Sequence, residues 1–177
     1  MNVVFKTVMA SMAILAASIS GVHAAGAGTG TISFEGEILE AACSIQPTSV
    51  DQTIPLGQVA KSQLSTGGVT SPENFQIELS GCALTALTDK TVTAIFTGAA
   101  STDVTGALGI AGTAQGAGIM IVDGAGTPIV LGAPTRPQLL QTGENTLAFG
   151  AYLKGKATGD ITPGVFTAVT NFSLAYQ

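Results

Sequence analysis

Few residues of this sequence carry side chains suited to covalent or metal chemistry. They are two cysteines, Cys43 and Cys82, one histidine, His23, and eleven Asp and Glu residues that occur singly or in loose pairs such as Glu35 and Glu37. Histidine is the usual general base at neutral pH and the commonest metal ligand, and none follows position 23. Folding can still bring two carboxylates together, so that alternative stays open. We otherwise expect no catalytic residue, no cofactor and no metal site.

The first 24 residues have the pattern of an export signal. Lys6 lies near the start, an apolar and small-residue stretch covers positions 7–19, and Val22-His23-Ala24 resembles a signal-peptidase site. The stretch is shorter than the ~20 apolar residues that span a bilayer core of ~30 Å, which disfavours a membrane anchor. We therefore predict a signal peptide over residues 1–24. Its removal takes away both Lys6 and His23 and changes the net charge from −5 to −6.

Both cysteines belong to the predicted mature chain, and they are 39 positions apart. An even number of widely spaced cysteines in an exported protein predicts a disulfide. The sequence has no CxxC pair for redox work, and two thiolates without histidine make a poor metal site. We predict a bond between Cys43 and Cys82, which closes a loop large enough to stabilise the fold by roughly 3 to 4.5 kcal/mol.

Composition excludes two further classes of protein. Hydrophobic residues make up 46% of the chain and charged residues only 10%, which favours a folded domain over intrinsic disorder. The cations form no cluster that could neutralise a run of phosphates, so we expect no nucleic-acid partner. They are Lys6, Lys61, Lys90, Arg136, Lys154 and Lys156.

Strand-like composition dominates the chain from residue 31 onward. Strands are predicted at 31–39, 41–46, 53–56, 75–79, 91–96, 118–122, 129–131, 146–153 and 164–176. A short helix is predicted near 56–64, and the stretch 98–116, rich in small residues, is predicted to be a loop or an irregular edge. Short strands separated by turn signals favour one antiparallel sandwich of the immunoglobulin type.

The two ends of the predicted mature chain alternate with period two. Because side chains of a strand alternate between faces, residues 166, 168, 170, 172, 174 and 176 share one face of an extended strand. Near the N-terminus, Ile32, Phe34, Gly36 and Ile38 share a face, whereas the opposite face carries polar residues. This second segment is either the first strand of its own sheet or an arm that adds itself to the sheet of another molecule.

Several segments resemble a known family. They are GTISFEGEILEAAC at 30–43, SVDQTIPLGQV at 49–59 and FQIELSGC at 75–82, together with Gly164, fourteenth from the C-terminus, and the penultimate Tyr176. In this order and combination they resemble the pilins of the chaperone–usher pathway, and are similar to the major subunit of type 1 fimbriae.

The resemblance implies an all-β fold, an incomplete immunoglobulin-like sandwich that lacks its last strand. A donor arm would cover residues 25–39, and the pilin domain residues 40–177. The donor residues would be Gly30, Ile32, Phe34, Gly36 and Ile38. The residues that line the groove left by the missing strand, and that a chaperone would recognise, would be Gly164, Phe166, Phe172, Leu174 and Tyr176.

The resemblance also implies a function and its partners. The chain would be a structural subunit that polymerises by donor-strand exchange into a surface fimbrium and supports cell adhesion. Its partners would be neighbouring subunits, a periplasmic chaperone and an outer-membrane usher. The alternative function is that of a minor adaptor or tip-associated subunit. One departure from the family is that residues 25–29 lack the large apolar residue that some arms carry.

Overall fold

The computed structural model describes residues 30–38 and 40–177. The predicted signal peptide and residues 25–29 of the predicted arm lie outside the described residues. The chain divides into two units at the junction of Ile38 and Leu39. In the described residues, no helix has the length and apolar character needed to cross a membrane.

Residues 30–38 form neither a helix nor a paired strand. Ile32, Phe34 and Ile38 are 79%, 91% and 101% exposed. The strand predicted at 31–39 is therefore not formed over these residues, because an extended segment becomes a strand only by hydrogen-bonding to a neighbour. Its three large apolar side chains remain in contact with water.

The second unit is built almost entirely from antiparallel strands. The strands are β1 (Ser44–Ile45), β2 (Glu73–Cys82), β3 (Thr91–Gly98), β4 (Leu108–Gly109), β5 (Ala111–Gly112), β6 (Ala117–Asp123), β7 (Gln138–Leu139), β8 (Gly143–Gly155), β9 (Phe166–Thr167) and β10 (Thr170–Tyr176). The α-helices of the described residues have four residues each, α1 (Pro47–Val50) and α2 (Lys61–Leu64). Single 3₁₀ turns occupy Ser65–Gly67 and Leu84–Ala86.

The strands form two main sheets and one small one. One sheet has the order β1-β2-β8-β6-β4, the second has the order β10-β3-β7, and β5 pairs with β9. Every pairing is antiparallel. The predicted all-β class is thus confirmed.

The core lies between the inner faces of the two main sheets. At its centre, the ring of Phe149 in β8 lies 5.0 Å from that of Phe96 in β3, edge to face, and 5.6 Å from that of Phe75 in β2. Phe96 and Phe149 are almost completely buried. Such aromatic contacts stabilise a core beyond the area they bury, because ring edges and ring faces carry opposite partial charges.

Most of the longer strands were predicted from the sequence. Strands β2, β3, β6 and β8 contain the predicted segments 75–79, 91–96, 118–122 and 146–153. The segment predicted at 41–46 shortens to β1, and the segment predicted at 164–176 divides into β9 and β10. The division arises because β9 pairs with β5 whereas β10 pairs with β3.

Two predicted strands, at 53–56 and 129–131, are wrong. Pro55 has no N–H to donate to a ladder, and the segment stays extended without pairing. Residues 129–131 lie between Pro128 and Gly132, whose φ of +79° turns the chain. The helix predicted near 56–64 is reduced to the single turn α2.

The irregular stretch 98–116 covers the outer face of β6. Val104 and Ala107 pack against Met120, and all seven residues of β6 are buried. A Cβ added at Gly118 would lie 2.7 Å from the Cβ of Ala107. This close cover explains why β6 has no polar face, in contrast to a strand that borders water.

The predicted disulfide between Cys43 and Cys82 is present. It joins the residue before β1 to the last residue of β2, and the adjacent backbones are linked by a hydrogen bond from Ala83 N–H to the carbonyl of Ala42 at 2.9 Å. Both sulfur-bearing residues are buried in the core. The bond therefore holds the beginning of the second unit against the first long strand.

Candidate functional site

A long apolar groove of about 1130 Å³ opens beside the C-terminal strands. The inner face of the five-stranded sheet forms its floor, and the groove has two walls, the terminal segment 162–172 and the segment 50–59. The apolar floor residues are Phe75, Ile119, Ile121, Ala151 and Leu153. Its size and shape would accommodate an extended peptide segment.

The terminal wall has the alternation that the sequence predicts. From Phe166 to Tyr176, every even-numbered residue is half-buried and every odd-numbered residue is exposed. All of residues 165–172 border the groove, but Phe166, Ala168, Thr170 and Phe172 are half-buried in it, whereas Val165 and Val169 are 77% and 76% exposed. The terminal strands therefore present one apolar face to the groove.

Strand β10 also has a free backbone edge. Thr91 and Gln177 exchange two backbone hydrogen bonds of 3.0 Å each, and in an antiparallel pair such bonded pairs alternate with non-bonded ones. Every second residue of β10 therefore directs its N–H and C=O away from β3, where no described strand pairs with it. The residues with these outward groups are Thr170, Phe172, Leu174 and Tyr176.

The opposite wall was not predicted from the sequence. Ile54, Leu56 and Val59 are half-buried and line the groove across from the terminal strand. The spacing of Ile54 and Leu56 is typical of a strand. Pro55 between them has no N–H for a ladder hydrogen bond, so this wall does not join either sheet. Pro55, which interrupts the apolar alternation, is the sequence signal that this segment does not pair as a strand.

Gly164 lies where the chain enters the terminal wall, and no larger residue fits there. An added Cβ would lie 2.6 Å from the backbone nitrogen of Ala114 and would also meet the hydroxyl oxygen of Thr113. Two hydrogen bonds hold this approach, from Val165 N–H to Thr113 Oγ1 and from Thr113 N–H to the carbonyl of Val165, both 3.0 Å. The glycine thus lets the terminal segment pass close to residues 113–114.

Leu174 and Tyr176 share the face of Phe166 and Phe172 but lie outside the groove lining. Both are half-buried and pack against the core cluster that contains Phe96. Burial raises the pKa of the Tyr176 phenol above its ordinary value of 10.0. The apolar face of the terminal strand therefore continues past the end of the groove.

The predicted donor residues are unpartnered in the first unit. Ile32, Phe34 and Ile38 are exposed, and a Cβ built at Gly30 or Gly36 would meet no atom within 4 Å. No contact among residues 30–38 and 40–177 therefore explains a glycine at position 36. In the described residues, no three His, Cys, Asp or Glu side chains come together in a group that could hold a metal ion.

The comparisons with known proteins agree with one another. The family described as Fimbrial protein matches residues 32–177. The chain is 48% identical to the Fimbria A protein of Serratia marcescens, over 93% of this chain and 94% of that protein, and 45% identical to the Major MR/P fimbria protein of Proteus mirabilis, over 87% of each. The solved structure of a chaperone–usher pilus matches with a TM-score of 0.76 and 34% identity, over 85% of this chain and 96% of that chain.

The chain belongs to the fimbrial protein family. The resemblance stated from sequence is thereby confirmed, and so is the pilin fold. As a fimbrial protein it is a structural subunit that is exported to the cell surface in a fimbrium. Its relatives include a major fimbrial subunit, which favours the repeating subunit over a minor adaptor or tip-associated one.

Proposed function

We propose that this fimbrial subunit polymerises by donor-strand exchange, in which residues 30–38 of one copy fill the groove of the next. The observation that carries the proposal is complementarity within one sequence. The arm offers three exposed apolar side chains that would share one face of an extended strand, and the groove offers an apolar floor beside a free strand edge. Repetition of this contact from head to tail would build a fibre that supports adhesion.

The energetics favour such an exchange. Burying Ile32, Phe34 and Ile38 would contribute about 1.5–3 kcal/mol for each side chain. Ladder hydrogen bonds to the free edge of β10 would add about 0.5–1.5 kcal/mol apiece. Both contributions are absent when arm and groove stay in water, so the polymer is stabilised by groups that the single subunit leaves unused.

Before polymerisation, the open groove would be an aggregation hazard. An exposed apolar surface beside an unpaired strand edge favours non-specific association. We infer that a periplasmic chaperone covers this site, contacting Phe166, Phe172, Leu174 and Tyr176, and that an outer-membrane usher exchanges it for the arm of the next subunit. The half-buried apolar side chains and outward backbone groups of β10 could pair with a strand that the chaperone supplies.

A matched pair of substitutions in the arm tests the proposal. Phe34→Asp would place a charge in the apolar groove, whereas Ser33→Asp adds the same charge to the polar face one residue earlier. In cells that assemble the fimbria, we expect Phe34→Asp to abolish fibres seen by electron microscopy and Ser33→Asp to preserve them. The Phe34→Asp subunit should still copurify with the chaperone, whose binding site is the groove.

Deletion of residues 25–39 is a second test of the proposal. A subunit without the arm can still be capped by the chaperone but has nothing to insert into the next groove. Fibres of normal length from this deletion, or from Phe34→Asp, would overturn the proposal.

A further inference from the structure

The rim of the groove carries two charges at opposite ends. Among the residues that line the groove, only Asp51 and Lys61 are charged. Gln52, beside Asp51, donates a hydrogen bond of 2.9 Å to the carbonyl of Gln76 in β2, which places Asp51 near the end where Phe172 packs. Lys61 begins α2, whose Leu64 packs in the same cluster as Phe166.

The chain between Asp51 and Lys61 therefore runs along the rim in the direction opposite to the terminal strand. Its acidic end lies toward the Phe172 end of the groove and its basic end toward the Phe166 end. A segment that enters the groove meets a negative charge at one end and a positive charge at the other. The rim can thus distinguish the two directions in which a charged peptide could lie.

The arm has a matching charge asymmetry. Its outer face, opposite to the apolar face, carries Thr31 and Ser33 in the first half and Glu35 and Glu37 in the second. The described arm contains no cation. An arm antiparallel to the terminal strand would bring its acidic half to Lys61, whereas a parallel arm would bring it to Asp51, where like charges repel.

We propose that Lys61 is a specificity-determining residue of the groove, which pairs with the acidic outer edge, Glu35 and Glu37, of the arm from a second copy. The inference rests on the proposed function. It deepens that function by naming a charge contact that selects the arm and its direction. Apolar residues hold the arm in the groove, and the charges decide which arm is held and which way it runs.

Lys61 is available for this contact in the single subunit. Its Nζ lies 3.8 Å from Asp160, and the two side chains are 48% and 97% exposed. An ion pair so exposed to water is weak, because solvent screens it and both side chains stay mobile. An arriving arm would displace water around Lys61 and can replace Asp160 as its partner.

Retention of a labelled peptide measures the contact. A fluorescent peptide with residues 28–40 of this chain is added in excess while the mature chain, residues 25–177, refolds from denaturant, and the release rate of the peptide is then followed at low salt. We expect Lys61→Glu to accelerate release by about three- to tenfold. The matched control Lys154→Glu makes the same change of net charge in β8, next to the inward-facing Leu153 and thus on the opposite face of the sheet, and should stay within about twofold.

Charge reversal and salt complete the test. A peptide carrying Glu35→Lys and Glu37→Lys should be retained better by the Lys61→Glu chain than by the natural one, which also establishes that the variant folds. In about 0.5 M salt the differences should shrink below about twofold, because the screening length becomes only a few Å.

The possible failures are distinguishable. Equal retention of a Phe34→Asp peptide and the natural peptide, or retention of neither, would overturn the proposed function itself. If the natural peptide is retained and the Phe34→Asp peptide is not, but Lys61→Glu and the natural chain release it at the same rate at low salt, the Lys61 inference is wrong and the proposed function stands.

Discussion

The carboxylate of Asp123 accepts two hydrogen bonds from the guanidinium of Arg136, at 2.9 Å from Nε and 2.7 Å from Nη2. The same carboxylate accepts backbone N–H groups of Ala125 and Thr127 at 3.0 and 2.9 Å. Asp123 is the last residue of β6 and is buried, whereas Arg136 is largely exposed. One carboxylate therefore closes the turn after β6 and fastens it to the segment that follows.

The stability of the fold should decrease in acid because of Asp123. Burial raises the pKa of this carboxyl, but hydrogen bonds from Thr127, Arg136 and Ala125 outweigh burial, and the pKa lies below its ordinary value of 3.8. A carboxyl whose pKa is lowered by folding stabilises the protein at pH values above its ordinary pKa. That stabilisation is lost as the pH falls through the pKa of the folded state. The midpoint of urea unfolding should be measured between about pH 2 and pH 7. We expect it to decrease as the pH falls below about 4.

Substitutions separate the two partners of this ion pair. Asp123→Asn should lower the free energy of unfolding by about 1–3 kcal/mol near neutral pH, because a buried charged acceptor is lost. It should also weaken the decrease of stability in acid. Arg136→Gln should cost about 0–1 kcal/mol, because the guanidinium is largely exposed. If the decrease of stability in acid is the same in Asp123→Asn as in the natural chain, Asp123 is not its cause.

Gly164→Ala should destabilise the subunit by about 1–3 kcal/mol. The new Cβ would overlap the backbone of residues 113–114 and push the terminal wall away from β5. The neighbouring Val165→Ala, at an exposed position, should change the free energy of unfolding by less than about 0.5 kcal/mol. Denaturant titration of the two variants gives the comparison, and equal free energies of unfolding would contradict the close approach of Gly164 to residues 113–114.

Removal of the disulfide should cost roughly 3 to 4.5 kcal/mol, in the chain-entropy account of a loop closed over a sequence separation of 39. The double variant Cys43→Ser, Cys82→Ser should therefore unfold at a lower urea concentration than the oxidised chain. Reduction of the natural chain should give a similar loss of stability, which serves as the control for the new hydroxyl groups. A double variant as stable as the oxidised chain would show that the bond is dispensable.

What the sequence could predict depends on how local the signal is. Alternation of apolar residues is a property of neighbours along the chain, so the terminal face with Phe166 and Phe172 could be predicted. The arm face with Ile32 and Phe34 stays a prediction, because every described residue of the arm is exposed. The order of strands was not predicted, because register depends on contacts between distant segments. Ile54 and Leu56 carry a strand pattern, and only tertiary packing makes them a wall of the groove.

The division of the terminal segment illustrates the same limit. Residues 164–176 alternate without interruption, yet the chain changes partner between Thr167 and Thr170, from β5 to β3. Nothing in the alternation marks this change. Gly164 was singled out by resemblance, but its physical reason, the approach to Ala114, requires the folded backbone.

Gly36→Leu should block polymerisation without affecting the fold of the subunit. A Cβ at Gly36 meets no atom within 4 Å in the single chain, so the free energy of unfolding should not change. In the proposed exchange, three large side chains of the arm enter the groove and Gly36 enters between Phe34 and Ile38, where a leucine would need space that the neighbours fill. Ser33→Leu, which adds a leucine to the opposite, polar face of the extended arm, is the matched control. Fibre yield should fall for Gly36→Leu and remain for Ser33→Leu, and equal yields would mean that the groove accepts a large side chain at position 36.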